Sequence, residues 1–118
     1  MEITLTNHLQ GLSAYPIPKR AIDIIAIRRD TTPDENVTYY RYNDERLQRT
    51  VSLCEADVYA WLSMAPDVAQ GGQSYSFSDA ERAAFRRKAN ALYRACGEEE
   101  SVISDGKTTA FGYKGDKL

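Results

Sequence analysis

Apolar residues recur at helical spacing in three stretches of the chain. The most regular runs Leu47, Val51, Cys54, Val58, Trp61 and Ala65, alternating steps of four and three, which predicts a helix that lays one stripe against a partner. Asn43 stands where a cap belongs, and Pro66 ends the pattern by denying the next backbone hydrogen bond. Leu53, Ala56, Ala60 and Leu62 widen the stripe. A helix of about 22 residues would span roughly 33 Å. Upstream, Pro16 to Asp30 opens with a proline suited to a first helical turn and places Ile22, Ile25, Ala26 and Arg29 on one face. Its isoleucines, Ile22, Ile24, Ile25 and Ile27, make the apolar face broad, which predicts a helix sandwiched between neighbours at the centre of the core. Downstream, Ser78 followed by Glu81 forms a capping box. Ala84, Phe85, Lys88, Ala89, Leu92 and Cys96 share one face of the helix it starts, and Gly97 ends that helix as a left-handed cap.

The intervening segments carry turn chemistry. Thr31 to Asn36 stops the first helix, because the residue before Pro33 is pushed out of the helical region. Val37 to Tyr42 is β-branched and aromatic, which fits a short extended piece or an early helical turn equally. In Asp67 to Phe77 the paired Gly71 and Gly72 permit positive φ. Ser74, Tyr75, Ser76 and Phe77 alternate polar with aromatic, which predicts a loop with a short extended arm. After Gly97 come three glutamates and then a polar tail with apolar punctuation at Val102, Ile103, Phe111 and Tyr113. Asp105-Gly106 is able to turn a small hairpin within it. The expected fold is mainly α: a small three-helix core with an extended glycine-containing arm and a partly extended C-terminal tail. The domain would cover residues 1–97, with 98–118 a polar tail able to dock on a partner.

Composition narrows the function more than the fold. The 118 residues suit one domain, and 15 basic against 17 acidic side chains give a net charge of -2, which disfavours general nucleic-acid binding. No apolar run approaches the length needed to cross a bilayer, and Met1 to Leu5 lacks the start of a signal peptide, so the expectation is a soluble, cytoplasmic protein. The two cysteines, Cys54 and Cys96, make no metal or redox spacing and are expected as free thiols in a reducing compartment. No cofactor or small-molecule substrate is expected.

Candidate chemistry is sparse. His8 is the only histidine and has no nearby cysteine to complete a metal site, so it is expected to be exposed or capping. Glu55 and Asp57 point to different faces of their helix, and Asp44 and Glu45 fall in its first turn, where negative charge suits the helix dipole; all four are expected to be structural. Gly71-Gly72-Gln73 matches the peptide-release tripeptide of translation termination factors, but without their large basic domain a flexible turn is the better reading. Arg82, Arg86, Arg87, Lys88 and Arg94 make either a basic strip for phosphate or, more simply, a solvated face. Trp61, beside Tyr59, falls on the apolar stripe and belongs to the core. Two readings stay open for the arm: a packed surface loop, or an unpaired edge that a neighbouring subunit completes.

Several segments together resemble a known group. They are Pro16-Ile17-Pro18 entering the isoleucine-rich helix, Glu55 to Pro66, Gly71 to Asp79, and Phe111 to Asp116. They resemble a small protein family of gut Bacteroidetes and their phages, which in turn is similar to the head-tail connector (adaptor) proteins of tailed bacteriophages. The connector likeness spans about residues 12–97. It implies a non-enzymatic structural protein that forms a homo-oligomer and binds phage portal or tail proteins, cytoplasmic in the bacterial host and part of the virion if phage-encoded. By that likeness Gly71, Gly72, Gln73, Ser74, Tyr75, Ser76 and Phe77 would form an inter-subunit arm, and Phe111, Gly112, Tyr113 and Lys114 a docking tail. The acidic balance and the short stretch between the first two helices depart from better-known connectors. The alternative is a small regulatory or nucleic-acid-associated helical module presenting Arg82, Arg86 and Arg87.

Overall fold

Five helices and one hairpin make up the described part of the chain, residues 2–103 of a computed structural model. In order they are α1 (Leu5–Gln10), α2 (Lys19–Arg28), α3 (Tyr40–Asn43), α4 (Glu45–Leu62), β1 (Val68–Gln70), β2 (Gln73–Tyr75) and α5 (Asp79–Ala95), followed by a 3-10 turn at Glu99–Ser101. The fold is mainly α. Local signals account for most boundaries. Asp44, not Asn43, caps α4 by accepting from the Arg46 and Leu47 amides, and the helix runs 18 residues. Ser78 and Glu81 form the reciprocal capping box of α5, while Gly97, at φ 78°, turns the chain so that the Glu98 amide donates to the Tyr93 carbonyl.

The centre of the molecule is α4 rather than α2. Val51, Cys54, Val58 and Leu62 of α4 meet Leu5 and Leu9 of α1 and Ile22, Ile25 and Ala26 of α2 in one apolar cluster. Leu53, Ala56 and Ala60, which the sequence pattern merges with that stripe, form a second one facing Ala89 and Tyr93 of α5. A helix buried on two sides is the sandwiched one. By contrast α2 buries a single face, and Ile24 and Ile27 stand 49% and 69% exposed on the other.

The N-terminal helix α1 has no counterpart in the sequence pattern, being too short to show a period. Thr4 caps it, and Leu5 and Leu9, one turn apart, enter the core. Its start is clipped to the loop before α3: the Leu5 amide donates to the Glu35 carbonyl, and the Val37 amide to the Ile3 carbonyl. Of the two forms open for Val37 to Tyr42, the chain takes a buried Val37 followed by the single turn α3. Packing continues past Gly97, the expected end of the domain. Ile103 is buried against α5, with its amide donating to the Asn90 side chain and its carbonyl accepting from it.

One buried polar network ties these parts together. Arg29, just after α2, donates through Nε and Nη2 to the two oxygens of Asp57, each at 2.8 Å, and through Nη1 to Glu98 at 3.0 Å. The Tyr93 hydroxyl donates to the same Asp57 carboxylate at 2.6 Å. Hydrogen bonding to Asp57 raises the Arg29 pKa above its ordinary value, and burial followed by the bond to Asp57 raises that of Tyr93. Both therefore keep their protons. Glu98 is held below the usual glutamate range, first by its hydrogen bond from Arg29.

Replacing Asp57 by Ala strands a largely buried guanidinium. We expect a loss of about 3 kcal/mol in urea unfolding, and a smaller loss in the Arg29→Met, Asp57→Leu double variant than in Asp57→Ala. A single-variant cost under about 1 kcal/mol, the size of an ordinary surface change, would remove the network from its structural role. Because the folded state lowers the Glu98 pKa, its contribution is complete above the ordinary glutamate value of about 4.3 and is lost as pH falls through the lowered one. The stability gap between wild type and Glu98→Gln should therefore narrow on acidification below about pH 4.3. A gap independent of pH from 3 to 7 would contradict this.

Candidate functional site

The predicted arm is a β-hairpin. Val68, Ala69 and Gln70 pair antiparallel with Tyr75, Ser74 and Gln73, and the two-residue loop between them is Gly71-Gly72. Both glycines take positive φ, 61° and 81°, which is the requirement of a type I′ turn. In a ladder closed this way the pair flanking the turn exchanges hydrogen bonds and the next pair points its amides outward. The backbones of Ala69 and Ser74 thus face the two edges of a two-stranded sheet to which no further strand pairs among the described residues.

The two aromatics of the arm turn inward. Tyr75 and Phe77 are half-buried, whereas Gly71, Gly72, Gln73, Ser74 and Ser76 are exposed. Phe77 stacks on Tyr15 with ring centres 5.3 Å apart and meets Phe85 of α5 edge-on at 4.8 Å, while Phe85 stacks on Tyr59 of α4 at 6.0 Å. The buried Tyr15 donates its hydroxyl to the Pro66 carbonyl at the foot of β1. Tyr15 is the anchor that sequence reasoning missed, since a lone tyrosine between Ala14 and Pro16 belongs to no periodic pattern. The arm thus has a packed root at Tyr75 and Phe77 and an exposed tip at Gly71 to Ser74.

Arg82 belongs neither to a solvated face nor to a free basic strip. Its Nη1 donates to the Ser63 and Ala65 carbonyls beyond α4, its Nη2 lies 3.5 Å from Asp67, and its guanidinium covers the Phe77 ring. It is a C-terminal cap for α4 and a brace for the hairpin root. Phe111, Gly112, Tyr113 and Lys114 lie outside the described residues.

A second feature lies between α2 and the C-terminal half of α4. An open apolar groove of about 450 Å³ has Ile24, Trp61 and Met64 on its walls, Asp57 and Tyr93 at its floor, and Arg20 and Arg28 on its rim. Trp61, expected in the core, is only half-buried and lines this groove. Met64 is 46% exposed. Neither Arg20 nor Arg28 has an acidic partner among the described residues.

His8 is neither free nor a cap. It sits half-buried in α1, its ring N–H donating to the Glu55 carboxylate at 2.6 Å, with Tyr40 edge-on at 5.3 Å. Glu55 and Asp57 do diverge, the first toward α1 and the second toward Arg29. The thiols are free: burial pushes Cys54 up to about 12 and also raises Cys96, so neither has the depressed pKa of a reactive nucleophile. Among the described residues no group of three or more metal-binding side chains is placed to hold an ion, and no helix is long and apolar enough to cross a membrane. Compared with known proteins, the chain matches no family model, no curated protein and no solved structure.

A Cβ at Gly72 would meet nothing within 4 Å, so backbone conformation alone restricts that position. Gly72→Val should abolish the cross-strand Ala69–Ser74 nuclear Overhauser contact at unchanged helical circular dichroism. Gly71→Asn should retain it, because asparagine tolerates left-handed φ. Retention in both variants would refute the type I′ turn.

Proposed function

We propose that the chain is a phage or prophage structural protein, a head-tail connector-like adaptor that assembles with copies of itself and with portal or tail components, without catalysis. The observation that carries this reading is the hairpin. A sheet of two three-residue strands is marginal by itself, yet here it is braced at its root by four aromatics in stacked and edge contacts and, among the described residues, left open at both edges. An open edge of this kind gains most when a strand from another chain adds to it. The sequence resemblance implies an inter-subunit arm for the same segment, Gly71 to Phe77, and the polar groups that do converge, Arg29, Asp57, Tyr93 and Glu98, are paired with one another in the network that holds the fold. In this reading the protein resides in the cytoplasm of the bacterial host and, if phage-encoded, enters the virion.

Ser74→Pro removes an outward-pointing amide without breaking a bond inside the hairpin. Size-exclusion chromatography with light scattering across a wide concentration range should show higher-order species for the wild type and their loss in Ser74→Pro, at equal helical content. A wild type that stays monomeric throughout, or a Ser74→Pro variant that assembles like it, would overturn the adaptor reading.

A further inference from the structure

We infer that the apolar groove between α2 and α4 receives a second copy of this chain, which docks through the corner formed by α3 and the first turn of α4. The inference rests on the assembly reading above and adds to it a second, side-chain-mediated contact distinct from the hairpin. Three observations converge on it.

The exposed face of α2 is apolar where solvent alone would favour polar residues. Around the helix Arg20, Ile24, Ile27 and Arg28 fall within one sector opposite the buried Ile22, Ile25 and Ala26, so two bare isoleucines lie between two cations. With Met64 and Trp61 across the groove, Ile24 completes an apolar surface with a basic rim, the form of an interface rather than of a solvated helix. At the other end of α4 the chemistry is reciprocal. Tyr39 and Tyr42 are 64% and 83% exposed, and beside them stand the exposed carboxylates of Asp44 and Glu45. Tyrosines of this exposure fit the anchor role that aromatic residues play in interfaces. Arg41 and Arg46 also lie at this corner, but Arg41 is turned onto the Tyr40 ring and hydroxyl. Asp34 and Glu35 add further negative charge.

The placement of the two patches decides the occupant. A groove meeting the groove of another copy would set arginines against arginines, which disfavours a two-fold contact. The groove and the corner instead lie toward opposite ends of α4, with Glu45 and Trp61 about 16 residues or roughly 24 Å apart along the helix. A patch at one end complementary to a patch at the other makes a head-to-tail contact, which closes into a ring or extends as a filament. Tyr42 would enter the groove beside Ile24 and Met64, with Asp44 and Glu45 meeting Arg20 and Arg28.

Two variants test this, each altering exposed side chains so that folding is preserved: Ile24→Glu with Met64→Glu blocks the groove, and Tyr39→Ser with Tyr42→Ser blocks the corner. Thermal melts by circular dichroism serve as the folding control. By sedimentation velocity each variant alone should self-associate about a hundredfold more weakly than wild type. In a Ser74→Pro background, which removes the hairpin contact, an equimolar mixture should form a one-to-one dimer and stop there, because only one complementary pair of patches remains intact. Arg28→Glu should weaken self-association, and Glu45→Arg in the same chain should restore it. Groove and corner variants that assemble like wild type while Ser74→Pro does not would overturn this contact and leave the adaptor reading standing. A folded mixture that forms no dimer overturns the head-to-tail arrangement, and a wild type monomeric at every concentration overturns both.

Discussion

The bidentate pairing of Arg29 with Asp57 is the constraint around which the molecule is arranged. Two charges in so enclosed a position are tolerated only when paired and fully hydrogen-bonded, and here Asp57 also accepts from Tyr93 while Arg29 also reaches Glu98. The four residues come from the end of α2, the middle of α4, the last turns of α5 and the segment after Gly97. Satisfying all of them at once sets the rotation of α2 about its own axis. With Arg29 turned toward α4, Ile22, Ile25 and Ala26 must face the core and Ile24 and Ile27 must face out. The apolar groove is thus a consequence of the polar network.

The hairpin follows a different logic. Its strands are too short to hold together by ladder hydrogen bonds alone, and its stability comes from the side chains beneath it: Tyr15, Phe77, Phe85 and Tyr59 in edge and stacked contacts, with Arg82 closing the α4 terminus over them. Rigidity at the root and openness at the tip suit a segment that must be presented in one direction while keeping its backbone groups available. Hairpin, groove and tyrosine-rich corner are all surfaces, and the buried polar groups serve the fold. This division is the physical content of reading the chain as an assembly component.

Much of this was legible from residue order alone. The helical character of α2, α4 and α5, the capping box at Ser78, the left-handed Gly97 and the glycine turn at Gly71-Gly72 follow from chemistry within a few residues of each site, so local sequence determines them. What only the tertiary structure decided is which apolar stripe is covered. In the one-dimensional pattern Leu53, Ala56 and Ala60 extend a single stripe and the isoleucines of α2 make the broadest face, yet burial depends on which neighbours come to lie against each face. The same holds for His8 with Glu55 and Arg29 with Asp57, pairs separated by 47 and 28 residues that no periodicity connects. Charges distant in sequence find each other because an unpaired charge in the interior is costly, and that cost exists only once the chain has closed around it.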